Sequence, residues 1–439
     1  MNDIKPVVFY VPGLYSSTLR PSEGLGCLND NQWNPPRSLT ATLARGNKGH
    51  QSLKLPITWS IQTRDDNDDG VDYYVQDKDD VQADDCLYFV QGKLLNTLDT
   101  LHKNGMIELH KIVWDWRRSF EEAEQHISET IESIINMSSS FGTNNDNDSK
   151  NNNKNNNNYY SKAIVVTHST GALLTWPTIC RHPEYFSCWV NAAGCLLKGS
   201  NMFLAEFQHG YSLYSGIIRM LSKEAFFTFA GLYSYFPTKG EEGYGGMGDS
   251  DWVDADGKTF RTDIDIYKVE TWEEYKLGIF EWKKGQVTEE ERSHIQHCLD
   301  AAKRFRETHL VKKEKEKKKG TISPHDASFL DKDLEAYGHL KIICYGTDKL
   351  QAHSAYQVDV TEKTLDVSSS KLTTSGDGTL FSSNWKTVPG GLEREIVMAE
   401  EGSNHVSLVN DAKLQTLLLD CFFADDEMNK ASAKTLLKL

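Results

Sequence analysis

The stretch Ala163-Ile164-Val165-Val166-Thr167-His168-Ser169-Thr170-Gly171-Ala172-Leu173-Leu174 decides the fold. Its first four residues are apolar and three are β-branched, the composition of a short buried strand. Thr170-Gly171-Ala172 then opens a segment with apolar residues at helical spacing: Leu173, Leu174, Trp176 and Ile179. Strand, one polar turn, helix is the setting of a nucleophile elbow. There a serine sits on a strained turn beside the free N–H groups of a helix N-terminus. Here the elbow reads Thr-His-Ser-Thr-Gly, with Thr167 where a glycine is usual.

Upstream, Val7-Val8-Phe9-Tyr10-Val11 reads as a strand ended by Pro12-Gly13, followed by a loop, Leu14 to Leu19, that leaves the sheet. Leucines at helical spacing predict a helix from Val90 to Asn104. Lys111-Ile112-Val113-Trp114 predicts a strand running into Asp115-Trp116-Arg117-Arg118, and Phe120 to Met137 predicts an acidic amphipathic helix. Downstream, Cys188 to Gly194, Leu340 to Tyr345 and Glu395 to Ala399 read as strands, and Leu414 to Leu419 lies in a closing helix. Strand and helix alternate, which predicts an α/β fold of the α/β-hydrolase type, its mostly parallel sheet covered by helices on both faces.

Three interruptions define the predicted domains. Residues 1–200 form the first part of the hydrolase core. They carry a lid excursion at 22–85 with little regular structure and a disordered Asn-rich insertion at 142–158, too polar to pack. Residues 201–332 form an inserted cap, with an aromatic run (Phe226 to Phe236), a Gly-rich region (Gly240 to Gly248) and helical pieces from Trp272 to Trp282. The core resumes at 333–439. The aromatic run has two open readings, lining of an acyl channel or ordinary helix packing. Lys312 to Lys319 holds six Lys and two Glu. It reads first as a solvated helix end, with contact to a phospholipid surface as the sharper alternative.

Composition excludes several classes. Of 439 residues 38% are hydrophobic and the formal net charge is −15, which argues against nucleic acid as a partner and against strong attraction to anionic membranes. No secretory signal or transmembrane helix is expected from the sequence. Eight scattered cysteines without CxxC pairs fit reduced thiols in the cytoplasm and neither a disulfide scaffold nor a zinc site. The expected chemistry needs no cofactor and no metal.

A serine hydroxyl becomes a useful nucleophile when a histidine removes its proton and a carboxylate fixes that histidine's tautomer. In α/β-hydrolase folds the chain order is serine, acid, histidine. The sequence offers Ser169, then Asp377 or Asp348, then His405, each after a predicted strand. Asp348 directly follows a strand in Gly-Thr-Asp; Asp377 sits in Gly-Asp-Gly-Thr. The residues by themselves leave both open as the acid. An oxyanion hole needs two preorganised N–H donors, here the backbone of Thr170 and, from the loop after the first strand, Leu14.

Together these residues resemble the lecithin:cholesterol acyltransferase-like α/β hydrolases. The resemblance rests on Val7–Leu19, on Trp114-Asp115-Trp116-Arg117 (the family's D-W-R), on the Ser169 elbow, on Gly376-Asp377-Gly378-Thr379 (its G-D-G-T) and on Asn404-His405. It implies Asp377 as the acid, Asp115 and Arg117 as structural ties beneath the site, a lid or membrane-binding excursion after Pro12-Gly13 and a cap after Ala193. The implied function is lipid acyl hydrolysis or O-acyl transfer on phospholipid or related acyl esters, with peripheral membrane contact. A soluble carboxylesterase or thioesterase is the enzymatic alternative, and a catalytically silent lipid-binding protein of the same fold is the non-enzymatic one.

Overall fold

The computed structural model describes residues 5–21, 53–63, 72–79, 81–140, 162–195, 204, 207–208, 223–236, 238, 252–254, 261, 264–310, 334–353, 356–359, 362–366, 373–380, 382–388 and 392–439. The expected Asn-rich insertion, the Gly-rich region and the Lys-rich run lie outside these residues. The central sheet has six parallel strands: β1 (Val7–Val11), β2 (Glu108–Lys111), β3 (Ala163–His168), β4 (Phe186–Ala192), β5 (Lys341–Gly346) and β6 (Glu395–Met398). Their spatial order is β6-β5-β4-β3-β1-β2. The chain thus winds one way from β1 to β2 and the other way from β3 to β6. The C-terminal ends of β1 and β3 flank the point of reversal, where open α/β sheets place their sites.

Side chains alternate across each strand, so the sheet feeds two cores. Phe9, Val11 and Val165 face one side, where α2 (Phe120–Ser140), α3 (Thr170–Arg181) and α4 (Glu289–His309) pack. Val8, Tyr10, Ile164 and Val166 face the other, against α1 (Tyr88–Lys103) and α5 (Ala412–Phe422), with α6 (Glu427–Leu437) beside them. The predicted leucine stripe of α1 and the Ile127/Ile131 stripe of α2 supply these faces. Every described strand of this sheet is paired in parallel, and the architecture is that of an α/β-hydrolase fold.

Several expectations are corrected. The stretch at 22–85 was expected to have little regular structure and Leu14–Leu19 to be a loop. The described residues instead contain two antiparallel ribbons, Ser17–Pro21 with Val81–Cys86 and Trp59–Thr63 with Asp72–Gln76. The polar composition of the region concealed a local alternation in Trp59-Ser60-Ile61-Gln62-Thr63 that is itself a strand pattern. The strand expected at Lys111–Trp114 ends at Lys111, because the chain must turn there to bring Trp114 under the β1 loop, where its indole N–H donates to the Pro12 carbonyl at 2.9 Å. The aromatic run is core: Phe226, Phe229, Leu232, Tyr233 and Phe236 are buried among one another, Phe207 and Trp272. Among the described residues no helix is long and apolar enough to cross a membrane.

Arg117 joins the excursion to the core. Its guanidinium is fully buried and forms ion pairs with Asp115 (2.6 Å) and Asp79 (2.7 Å) while donating to the Leu53 and Val81 carbonyls. A buried charge satisfied on every side is a specificity device more than a source of net stability, but removing one partner is severe. Arg117→Leu should therefore destabilise the protein by about 3–5 kcal/mol, read as a lowered urea unfolding midpoint. An unchanged midpoint would refute this account of the D-W-R segment.

Candidate active site

The site begins with the turn between β3 and α3. Ser169 has φ 52° and ψ −123°, in the left-handed half of backbone space where a side chain is strained. The strain persists because the surroundings leave no alternative. A side chain at Gly171 would place its Cβ 2.3 Å from the Val11 carbonyl oxygen and 2.8 Å from that of Pro12, so α3 starts in contact with the end of β1. The Ser169 N–H donates to Ala192 O (3.0 Å) and its carbonyl accepts from Cys195 N–H (3.2 Å), fixing the turn against β4. All residues of α3 from Thr170 to Cys180 are buried.

Thr167, the departure from the usual elbow glycine, has a physical account. Its hydroxyl accepts the indole N–H of Trp189 at 2.9 Å, and both residues are fully buried. The side chain thus sits in the core on the α2–α3 side of the sheet, away from the Ser169 hydroxyl.

His405 Nε2 stands 2.9 Å from Ser169 Oγ, and its Nδ1 stands 2.7 Å from Asp377 Oδ2. Asp377 is fully buried. Its second oxygen accepts the N–H groups of Thr379 (3.0 Å) and Leu380 (2.7 Å), and its carbonyl accepts the His405 N–H (2.9 Å). A two-stranded ribbon, Leu350–His353 with Thr373–Gly376, carries Asp377 out from the end of β5. Gly378 follows with φ +89°, a conformation that favours glycine. The other candidate acid, Asp348, pairs instead with Lys386 Nζ at 2.6 Å, and this bond holds its carboxyl below the ordinary range. Of the two candidates the structure brings Asp377 to His405.

Thr170 opens α3, so its N–H lies in the first turn, where no intrahelical acceptor exists. Gly13 abuts the nucleophile: a Cβ there would lie 2.9 Å from Ser169 Cβ, and Leu14 follows, half-buried against the core. The loop bearing His405 is closed by Asp411, which accepts from Tyr345 Oη (2.9 Å), Glu400 N–H (2.9 Å) and Ser403 Oγ (2.7 Å).

Three neighbours were not anticipated. His168 Nε2 lies 3.0 Å from the His405 carbonyl and its Nδ1 lies 3.2 Å from Gln91 Nε2. Tyr235, from the aromatic run, reaches the elbow, its hydroxyl bonded to Thr170 Oγ1. Gln91 lies three, four and seven residues before Leu94, Leu95 and Leu98, in phase with the buried stripe of α1. A polar residue at a core phase was the signal that could have marked it. Burial, and secondarily the nearby His405, hold the His168 imidazole down at about 3, so it is neutral at physiological pH. Among the described residues no cluster of His, Cys, Asp and Glu is arranged to hold a metal.

Fold and site thus define an α/β hydrolase-type protein with a buried Ser–His–Asp constellation at the sheet's reversal point. Comparison with protein-family models finds no match, and comparison with curated protein sequences finds none. Among solved structures, a chain from the crystal structure of a Tle4–Tli4 complex matches with a TM-score of 0.52 and 14% identity, over 99% of this chain and 99% of that one. At that identity the likeness carries the fold.

Two expectations follow. Thr167→Val should keep the site but strand the buried Trp189 indole N–H, lowering stability by about 1–3 kcal/mol; Thr167→Ser should restore it, both measured by urea unfolding. Second, His168 is neutral in the fold but titrates near 6.5 when unfolded. Below that value the unfolded chain takes up a proton the folded chain refuses, so stability should fall as pH drops from 6.5 toward 3, at up to about 1.4 kcal/mol per pH unit for this group. Unfolding midpoints at pH 7 and 5 test it, and the dependence should be shallower in His168→Gln.

Proposed function

We propose that the protein is a serine-dependent lipid acyl hydrolase or O-acyltransferase acting on phospholipid or related acyl esters, in the manner of the lecithin:cholesterol acyltransferase-like α/β hydrolases. The observation that carries the proposal is the continuous chain Ser169 Oγ–His405 Nε2 and His405 Nδ1–Asp377 Oδ2, at 2.9 and 2.7 Å, on a strained elbow. A buried carboxylate on Nδ1 holds the proton there and leaves Nε2 free to accept the serine proton. The D-W-R and G-D-G-T segments favour a lipid ester over a small soluble one, through the family resemblance. A peripheral membrane contact and a cytoplasmic setting belong to the same reading.

In this mechanism Ser169 Oγ attacks the ester carbonyl carbon as His405 Nε2 takes its proton. The tetrahedral oxyanion is held by the Thr170 and Leu14 amides. Collapse breaks the bond to the leaving alcohol, which receives the proton from His405, and leaves an acyl-Ser169 ester. Water or an acceptor alcohol then gives its proton to His405, attacks the acyl carbon and releases Ser169 Oγ, which is reprotonated. The accepting group decides between hydrolysis and transfer.

A fluorophosphonate probe with peptide mass mapping tests the assignment. Labelling is expected at Ser169, absent in Ser169→Ala, slowed by on the order of 10⁴ in Asp377→Asn and unchanged in Asp348→Asn. Phospholipid vesicles, with and without acceptor alcohols, compared with short-chain esters then read the substrate class. A folded protein that takes no label would reduce the site to a silent hydrolase fold, and label elsewhere would displace Ser169.

A further inference from the structure

The mechanism above leaves a second buried histidine unused, one residue before the nucleophile. Neither nitrogen of His168 is engaged with Ser169: Nε2 lies 3.0 Å from the His405 backbone carbonyl and Nδ1 lies 3.2 Å from Gln91 Nε2. A carbonyl accepts only, so the Nε2 facing it carries the proton and donates. Nδ1 is then the bare nitrogen and accepts from the Gln91 amide, which is a donor. The two contacts select one neutral tautomer, and each requires the other.

Gln91 is placed for this contact at a local irregularity. It is fully buried, and its backbone departs from helical values inside α1, with φ −115° and ψ 18°. Its amide oxygen has no hydrogen-bond partner within reach. A buried unpaired carbonyl costs about 1–3 kcal/mol, so a leucine in this apolar stripe would be the more stable choice for packing alone. The His168 ring also touches the opposite wall of the site, since a Cβ on Gly13 would lie 3.2 Å from its Nδ1. One ring therefore abuts both the loop after β1 and the backbone that carries His405, whose own ring centroid is 5.4 Å away.

We propose that Gln91 and His168 form a positioning relay for His405: the Gln91 amide fixes the His168 tautomer, and His168 Nε2–H holds the His405 carbonyl so that the His405 imidazole stays aimed at Ser169 Oγ. This rests on the triad reading above. His168 is a positioning residue and exchanges no proton with substrate.

The test uses the full chain with Gln91→Met, His168→Phe and His168→Gln. His168→Phe preserves bulk and removes the donor to the His405 carbonyl, whereas the side-chain amide of His168→Gln can still donate there. Gln91→Met preserves bulk and removes the donor to Nδ1. Gln91→Met and His168→Phe should lower kcat on a chromogenic acyl ester, and the rate of fluorophosphonate labelling at Ser169, by on the order of 10- to 100-fold, the size expected for a slight misplacement of a reacting group, and His168→Gln should recover most of the loss. KM should stay unchanged. If one of the two impaired variants proves unstable, the other carries the decision. Wild-type kcat in folded His168→Phe or Gln91→Met would overturn the relay while leaving Ser169 labelling, and with it the triad, intact. Failure of the wild-type protein to label would remove both.

Discussion

The contact between the start of α3 and the end of β1 is the constraint on which the site depends. Two glycines permit it, since a Cβ on Gly171 would lie 2.3 Å from the Val11 carbonyl oxygen and one on Gly13 would lie 2.9 Å from Ser169 Cβ. With helix and strand this close, the chain has one residue in which to turn from β3 into α3, and that residue takes φ 52°. A non-glycine residue so placed is strained by about 1–3 kcal/mol. The burial of α3 and the pairing of β3 between β1 and β4 over-determine the turn, so the strain persists. The same geometry places the Ser169 hydroxyl 2.9 Å from His405 Nε2, immediately before the first turn of α3.

Everything else in the site arrives from far along the chain. His405 is 236 residues from Ser169 and 28 from Asp377 in sequence. The ribbon after β5 carries Asp377, whose carboxylate is saturated by two backbone amides and His405. The loop after β6 carries His405, and Asp411 closes that loop from its far end. Each reacting group is thus fixed by its own local network, and the three networks meet at the triad and at His168. The triad distances therefore depend on the packing of both layers of the sheet.

The elbow was legible because its signal is local: a β-branched apolar run, one polar turn and a helical apolar phase, all within a dozen residues. The parallel sheet was legible for the same reason where β1, β3, β4 and β5 carry apolar runs; β2, Glu-Leu-His-Lys, has none, which is why the apolar pattern points instead to Lys111–Trp114. The acid was not legible from the residues themselves, because Asp348 and Asp377 both follow strands and both look like turn residues. What separates them is Lys386, which takes Asp348 out of play through a contact no spacing rule predicts. The two ribbons within 17–86 were hidden by Asn- and Asp-rich surroundings, and the aromatic run could have been channel or core until its partners, Phe207 and Trp272, were in place. The contacts of Gln91 and Tyr235 are hidden in the sequence for a common reason: each is a polar-tipped residue in an apolar run, and only the tertiary fold shows where the tip ends.

The first two residues of the elbow, Thr167 and His168, also explain why it tolerates a threonine in place of glycine. Strand alternation sends Thr167 to the α2–α3 side of the sheet and His168 to the α1 side. Each finds a buried partner on its own side: Trp189 for Thr167, Gln91 and the His405 carbonyl for His168. Two polar side chains at the end of an otherwise apolar strand would ordinarily weaken it. Here each is hydrogen-bonded, which spares the desolvation penalty of an unpaired group and contributes about 0.5–1.5 kcal/mol per bond. The turn is therefore clamped to both cores immediately before the nucleophile. A glycine at 167 would leave the Trp189 indole without its acceptor and would loosen one side of that clamp, so in this chain the neighbouring tryptophan requires a hydroxyl at 167.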